Sequence, residues 1–103
     1  ELEGKTVGVI GLGAIGRETA KICRGCGMKI AGYDPFLSRE QIEALGAQAY
    51  ENYEDLLRAA DSAFVMKRRA HVPEALAGIN ARVVESGEEL RPLLEELNRM
   101  FSA

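Results

Sequence analysis

Residues 7–16 read VGVIGLGAIG: a run of apolar residues closing on three glycines spaced Gly11-x-Gly13-x-x-Gly16. The stretch before them, Lys5 to Ile10, is rich in β-branched residues and reads as a strand buried on both faces, as in the centre of a parallel sheet. Ala14 to Gly25 reads as a helix, with Ile15, Ala20, Ile22 and Cys23 available to its buried side. The glycines therefore sit where a strand turns into a helix, and that context gives their spacing its meaning. Gly11 permits the tight turn. Gly13 has no side chain, so a pyrophosphate can approach the backbone. Gly16 lets the helix lie close to the sheet. The amide groups at the helix start, with its dipole, favour the phosphate charge.

Working outward, MKIAGYD (28–34) reads as a second strand, with Gly27 turning the chain out of the first helix. Ser38 and Gln41 have capping-box spacing at the start of a short helix, SREQIEALG (38–46), which Gly46 stops. Ala47–Tyr50 is a short third strand, Asn52 caps the helix YEDLLRAA, and SAFVM (62–66) is a fourth strand. KRRAHVPEALAG (67–78) holds a basic cluster and then a short helical stretch with Pro73 in its first turn. ARVVE (81–85) is a fifth strand. Ser86 and Glu89 repeat the capping-box spacing, and Leu90, Leu93, Leu94, Leu97, Met100 and Phe101 follow helical spacing. Pro92 inside that helix predicts a kink or a later start. Strands alternating with helices predict an α/β fold: a three-layer, doubly wound parallel sheet of about five strands, Rossmann-like in order 3-2-1-4-5.

Bulk properties narrow the function. The 103 residues make one domain, and 47% hydrophobic with 28% charged content suits a buried core. A net charge of −3 offers no footprint for nucleic acid. No apolar run approaches the roughly 20 residues of a membrane span. The opening ELEGKT lacks the apolar core of a signal peptide, and two neighbouring cysteines suit a reducing, cytoplasmic setting.

Asp34 supplies a second element of the site. It ends the second strand, where a carboxylate can accept hydrogen bonds from both ribose hydroxyls of an adenosine and repel a 2′-phosphate, which favours NAD over NADP. The plainer reading is a turn aspartate beside turn glycines with no ligand. Cys23-x-x-Cys26 has the spacing of a redox pair, but it lies at a helix C-terminus, where the dipole disfavours thiolate. A zinc site would need more ligands than the single His71 provides. Cys23 is read as core and Cys26 as partly exposed. Lys67-Arg68-Arg69 follows the fourth strand at the ligand edge, where it can add charge near a pyrophosphate, but the simpler reading is a solvated loop. The leucine stripe of the last helix packs on the sheet, or covers a second copy in a homodimer.

The segment GKTVGVIGLGAIGRETAKICRGCGMKIAGYDPF resembles the cofactor domain of the D-2-hydroxyacid dehydrogenases, most of all their phosphoglycerate-oxidising branch. YEDLLRAADSAFVM is similar to that family's third helix and fourth strand. The resemblance covers residues 1–66 and implies a Rossmann domain that binds NAD. It implies that Gly11, Gly13, Ala14, Ile15 and Gly16 meet the cofactor and that Arg17 begins the helix beside it. Asp34 would hold the adenine ribose, with Tyr33 and Pro35 flanking it. Residues 67–103 depart. Arg82 only faintly matches the family's substrate-binding arginine, His71 does not match its acid–base histidine, and its substrate domain has no counterpart. The expectation is a cofactor-binding module without independent catalysis. The alternatives are a recombined or engineered α/β scaffold that binds nothing, or a dehydrogenase half completed by another chain.

Overall fold

The computed structural model describes residues 2–73 and 81–100. Five strands form one parallel sheet: β1 (Thr6–Ile10), β2 (Lys29–Tyr33), β3 (Gln48–Ala49), β4 (Ser62–Met66) and β5 (Ala81–Val84). Their spatial order is β3-β2-β1-β4-β5, the order expected from the alternation of elements. β1 lies at the centre, with Val7 opposite Ile30 on one side and Ser62 on the other. Both of its faces are covered, which is why it reads as an unbroken apolar run.

Four α-helices belong to the described residues: α1 (Ala14–Gly25), α2 (Arg39–Ala44), α3 (Tyr53–Ala59) and α4 (Leu90–Met100). On one face of the sheet, Val7, Val9, Ile30 and Phe64 pack with Ala20 and Cys23 of α1 and Ile42 of α2, and Leu93 and Leu94 of α4 join them. On the other face, Ile10, Ala31, Ala63 and Val65 pack with Leu56 of α3 and Ala60. Adjacent strand residues thus feed opposite cores, as a pleated strand requires. Burying Phe64 and Leu56 completely contributes about 1.5–3 kcal/mol each.

The local signals behave as their chemistry dictates. Ser38 and Gln41 form the full capping box, with the Ser38 hydroxyl accepting from the Gln41 amide at 3.2 Å and Gln41 Oε1 accepting from the Ser38 amide at 2.8 Å. Gly46 then ends the segment at φ 84°, and Gly27 does the same after α1 at φ 83°. Asn52 caps α3 by accepting from the Asp55 amide at 2.9 Å.

Several expectations are corrected. The third strand is only two residues long, since only Ala31 and Gly32 of β2 pair with it. Ser86 makes no side-chain cap; Glu89 instead accepts from the Glu85 amide at 3.0 Å, and residues 87–89 form a 3-10 turn. The α-helix does start late, as Pro92 predicts: α4 begins at Leu90 rather than straight after Ser86 and places Pro92 in the first turn, where its missing N–H has no helical partner to lose. The short helix expected after Pro73 lies outside the described residues, as do Phe101 and the side chains of Leu97 and Met100. None of the described helices is long and apolar enough to cross a membrane.

Candidate functional site

The site is the bend between β1 and α1, at the carboxyl edge of the sheet. Gly11 extends the ladder by one bond, its amide donating to the Tyr33 carbonyl at 2.8 Å, and then turns at φ 102°, a conformation L side chains rarely adopt. A Cβ there would also meet the Met66 Cβ at 2.8 Å. Gly13 is the N-cap of α1, and no side chain caps that end. Gly16 packs so tightly that a Cβ would overlap the Gly11 carbonyl oxygen. Gly11 thus makes the turn and Gly16 the close packing that their spacing predicts. Ala14 and Arg17 are exposed and Ile15 is half-buried beside them. The Arg17 guanidinium turns back, with Nε donating to the Leu12 carbonyl at 3.0 Å.

Asp34 is drawn into this bend. It follows β2 directly, its side chain is fully buried, and its Oδ2 accepts from the Leu12 amide at 2.7 Å. Its Oδ1 accepts from the Phe36 amide at 2.8 Å, which fixes the loop carrying the exposed Pro35. The fingerprint and the carboxylate, 22 residues apart in sequence, are therefore one hydrogen-bonded unit. Tyr33 is half-buried and meets Tyr53 edge to face at 6.0 Å.

Arg69 is the residue that sequence reasoning underweighted. Residues 66–70 form a turn directly after β4, with the Arg69 and Ala70 amides both donating to the Met66 carbonyl. That turn leaves Lys67 and Arg68 exposed and swings Arg69 inward. Its Nε donates to Asp34 Oδ2 at 2.7 Å and its Nη2 to Asp34 Oδ1 at 3.0 Å, a bidentate pair. Its guanidinium also lies 5.4 Å from the centre of the Phe36 ring. The solvated-loop reading of the basic cluster thus fails at Arg69. It holds at Lys67, whose Nζ pairs at the surface with Glu85 at 2.8 Å. Burial pushes the Asp34 carboxyl up, but the hydrogen bonds from Arg69, then from the Leu12 and Phe36 amides, outweigh burial and hold it below the usual carboxylate range.

Two openings flank the pair. One, of about 350 Å³, has Asp34, Tyr33, Pro35 and Tyr50 in its wall; the other, of about 170 Å³, has Gly13, Ile15, Met66 and Arg69. The Asp34–Arg69 pair joins the two walls.

The remaining candidates fall elsewhere. His71 is exposed and lines a different cavity, with Val72 and Val83. Arg82 is tied to α4, its Nη2 donating to Glu96 at 2.7 Å. Cys23 is buried in the core, and burial, then the neighbouring Cys26, pushes its thiol up to about 12, the opposite of an activated redox thiol. Cys26 is exposed. No cluster of metal-ligating side chains occurs among the described residues.

Known proteins share the sequence and fold of this segment. Residues 1–84 match the family described as D-isomer specific 2-hydroxyacid dehydrogenase, NAD binding domain. The match runs through β5, further than the residue-by-residue resemblance carries it. The D-3-phosphoglycerate dehydrogenase of Methanocaldococcus jannaschii is 44% identical over 61 residues, 59% of this chain and 12% of the relative. That of Synechocystis is 34% identical over 98 residues, 95% of this chain and 17% of the relative. Among solved structures, apo D-lactate dehydrogenase from Escherichia coli superposes with a TM-score of 0.54 at 33% identity, covering 70% of this chain and 21% of that one. Apo D-mandelate dehydrogenase from Rhodotorula graminis gives 0.55 at 33% identity, covering 71% and 21%. The chain thus spans a small fraction of the length of each protein it matches.

Proposed function

Since the chain belongs to the family of NAD-binding domains of the D-isomer specific 2-hydroxyacid dehydrogenases, we propose that Gly11, Gly13, Ala14, Ile15 and Gly16 cradle the diphosphate of NAD while Asp34 takes the diol of its adenosine ribose. One observation carries this reading: the buried Asp34 carboxylate is hydrogen-bonded to the Leu12 amide inside the glycine elbow, so sugar site and phosphate site are adjacent by construction. The residues suit the group. Gly13 presents bare backbone, α1 starts without a side-chain cap, and a carboxylate faces the position where a 2′-phosphate would be repelled. Arg17 adds a cation at the elbow, and Tyr33 and Pro35 frame the sugar side. Bound NAD supplies a hydride acceptor.

The chain acts here as one domain, family-like through residue 84. It binds cofactor, while oxidation of a 2-hydroxy acid, with 3-phosphoglycerate the first substrate to try, belongs to a protein of the relatives' length. The free Cys23 and Cys26 suit a reducing, cytoplasmic setting. The half-exposed Val83 on β5, the last strand in the sheet order, suits a homodimer contact.

Calorimetric titration tests the binding reading. NAD⁺ is expected to saturate and NADP⁺ to bind at least about tenfold more weakly, a fixed carboxylate facing the extra phosphate. Gly13→Val is expected to abolish binding with the circular dichroism spectrum retained. No saturation by NAD⁺ at millimolar concentration overturns the reading.

A further inference from the structure

An ionised carboxylate offers about four lone-pair positions for hydrogen bonds. On Asp34 all four have donors: the Leu12 amide and Arg69 Nε at Oδ2, the Phe36 amide and Arg69 Nη2 at Oδ1. A ribose diol needs two of them. The Leu12 and Phe36 amides belong to the main chain of the two loops and cannot leave without unmaking the elbow. Arg69 is held by its side chain alone, and it is the donor that can yield.

Where it would go is set by its stem. The stem crosses the elbow so closely that a Cβ on Gly13 would meet Arg69 Cδ at 2.7 Å. The space beside Gly13 is where the proposed function puts the diphosphate, so rotation about the outer bonds of the side chain is enough to carry the guanidinium from carboxylate to phosphate. A planar guanidinium matches both partners with two parallel N–H bonds.

We infer that Arg69 is an exchangeable counter-ion of the cofactor site, competing with the adenosine ribose for Asp34 and passing to the diphosphate once the ribose displaces it. The inference rests on the dinucleotide reading and adds a role that neither the glycines nor Asp34 fill. It makes Arg69 a residue that discriminates between ligands: it opposes a bare nucleoside and favours one carrying a diphosphate.

The sign of its effect must therefore differ between two ligands. In Arg69→Ala, adenosine is expected to bind about tenfold more tightly than to the wild type, as one charged donor pair no longer has to be displaced. NAD⁺ is expected to bind about tenfold more weakly, for want of the phosphate cation. Arg69→Lys keeps the charge without the two-pronged lock, so it should gain affinity for adenosine while holding NAD⁺ near the wild-type value. It also serves if the alanine variant is poorly folded. Affinities are read by nuclear magnetic resonance titration at the Leu12 and Phe36 amides, which report directly on Asp34. Equal or weaker adenosine binding in both variants, including no adenosine shift at all, overturns the inference, as does undiminished NAD⁺ binding in Arg69→Ala. If NAD⁺ binds wild type but no split in sign follows, the counter-ion role alone falls. If NAD⁺ binds none of the three proteins, the dinucleotide reading falls with it.

Discussion

At Gly16 a single methyl group would fall on the Gly11 carbonyl oxygen, a backbone atom that cannot rotate away. Gly16→Ala is therefore expected to destabilise the fold by about 2–4 kcal/mol, read by urea denaturation. Gly13→Ala meets the Arg69 stem, a side chain held at its far end by Asp34, and should cost less, about 1 kcal/mol. Two glycines of one motif thus separate by what a methyl group would meet, main chain at Gly16 and a side chain at Gly13. Asp34 adds a pH signature. Its carboxyl titrates below the value it has in an unfolded chain. The stability it contributes is whole above about pH 4 and is lost as pH falls through the depressed folded-state value. In Arg69→Ala the burial that pushes this carboxyl up loses its largest opponent, so acid unfolding should begin at higher pH, measured by denaturant midpoints between pH 3 and 7. The glycines and Asp34 were legible because each needs a residue type that few others can replace. Arg69 was not: three basic residues in a row carry no mark of which one turns inward, and here a turn at Met66 decides it.

Among the elements, capping motifs show how far spacing reaches. Ser38 with Gln41 and Ser86 with Glu89 have the same spacing, yet only the first pair closes. Around Ser86 the Glu89 carboxylate finds the Glu85 amide and a 3-10 turn intervenes, so local competition overrides the pattern. Asn52→Ala is expected to cost about 1 kcal/mol through loss of the α3 cap, whereas Ser86→Ala should stay within about 0.5 kcal/mol, both by thermal melting. Helix α1 was readable to both ends because a glycine elbow precedes it and Gly27 follows it. Strand β3 was overread: apolar alternation marks which residues face the core, but the length of a ladder depends on the partner, and only Ala31 and Gly32 answer it.

For the whole molecule, strand order followed from alternation and the handedness of crossovers, which leave few arrangements of five strands. The two cores could not be assigned from sequence with equal ease, since continuous apolar strands do not announce which face each helix covers. Leu56 shows the consequence. It is fully buried, is the α3 residue that Gly8 admits closest to the sheet, and should cost about 2–5 kcal/mol as Leu56→Ala in urea unfolding.

Because the sheet is parallel and its middle strand comes first, synthesis and assembly run out of step. As the chain leaves the ribosome, one flank of β1 finds Lys29–Tyr33 soon afterwards, but the other waits for Ser62–Met66. Until then, Val7, Val9 and Ile10 present an unpaired rim, the kind of surface that chaperones grasp and that neighbouring nascent chains can join. Fragments released before residue 66 should aggregate, and residues 1–103 should refold slowly for their number, the closing step set by the arrival of β4.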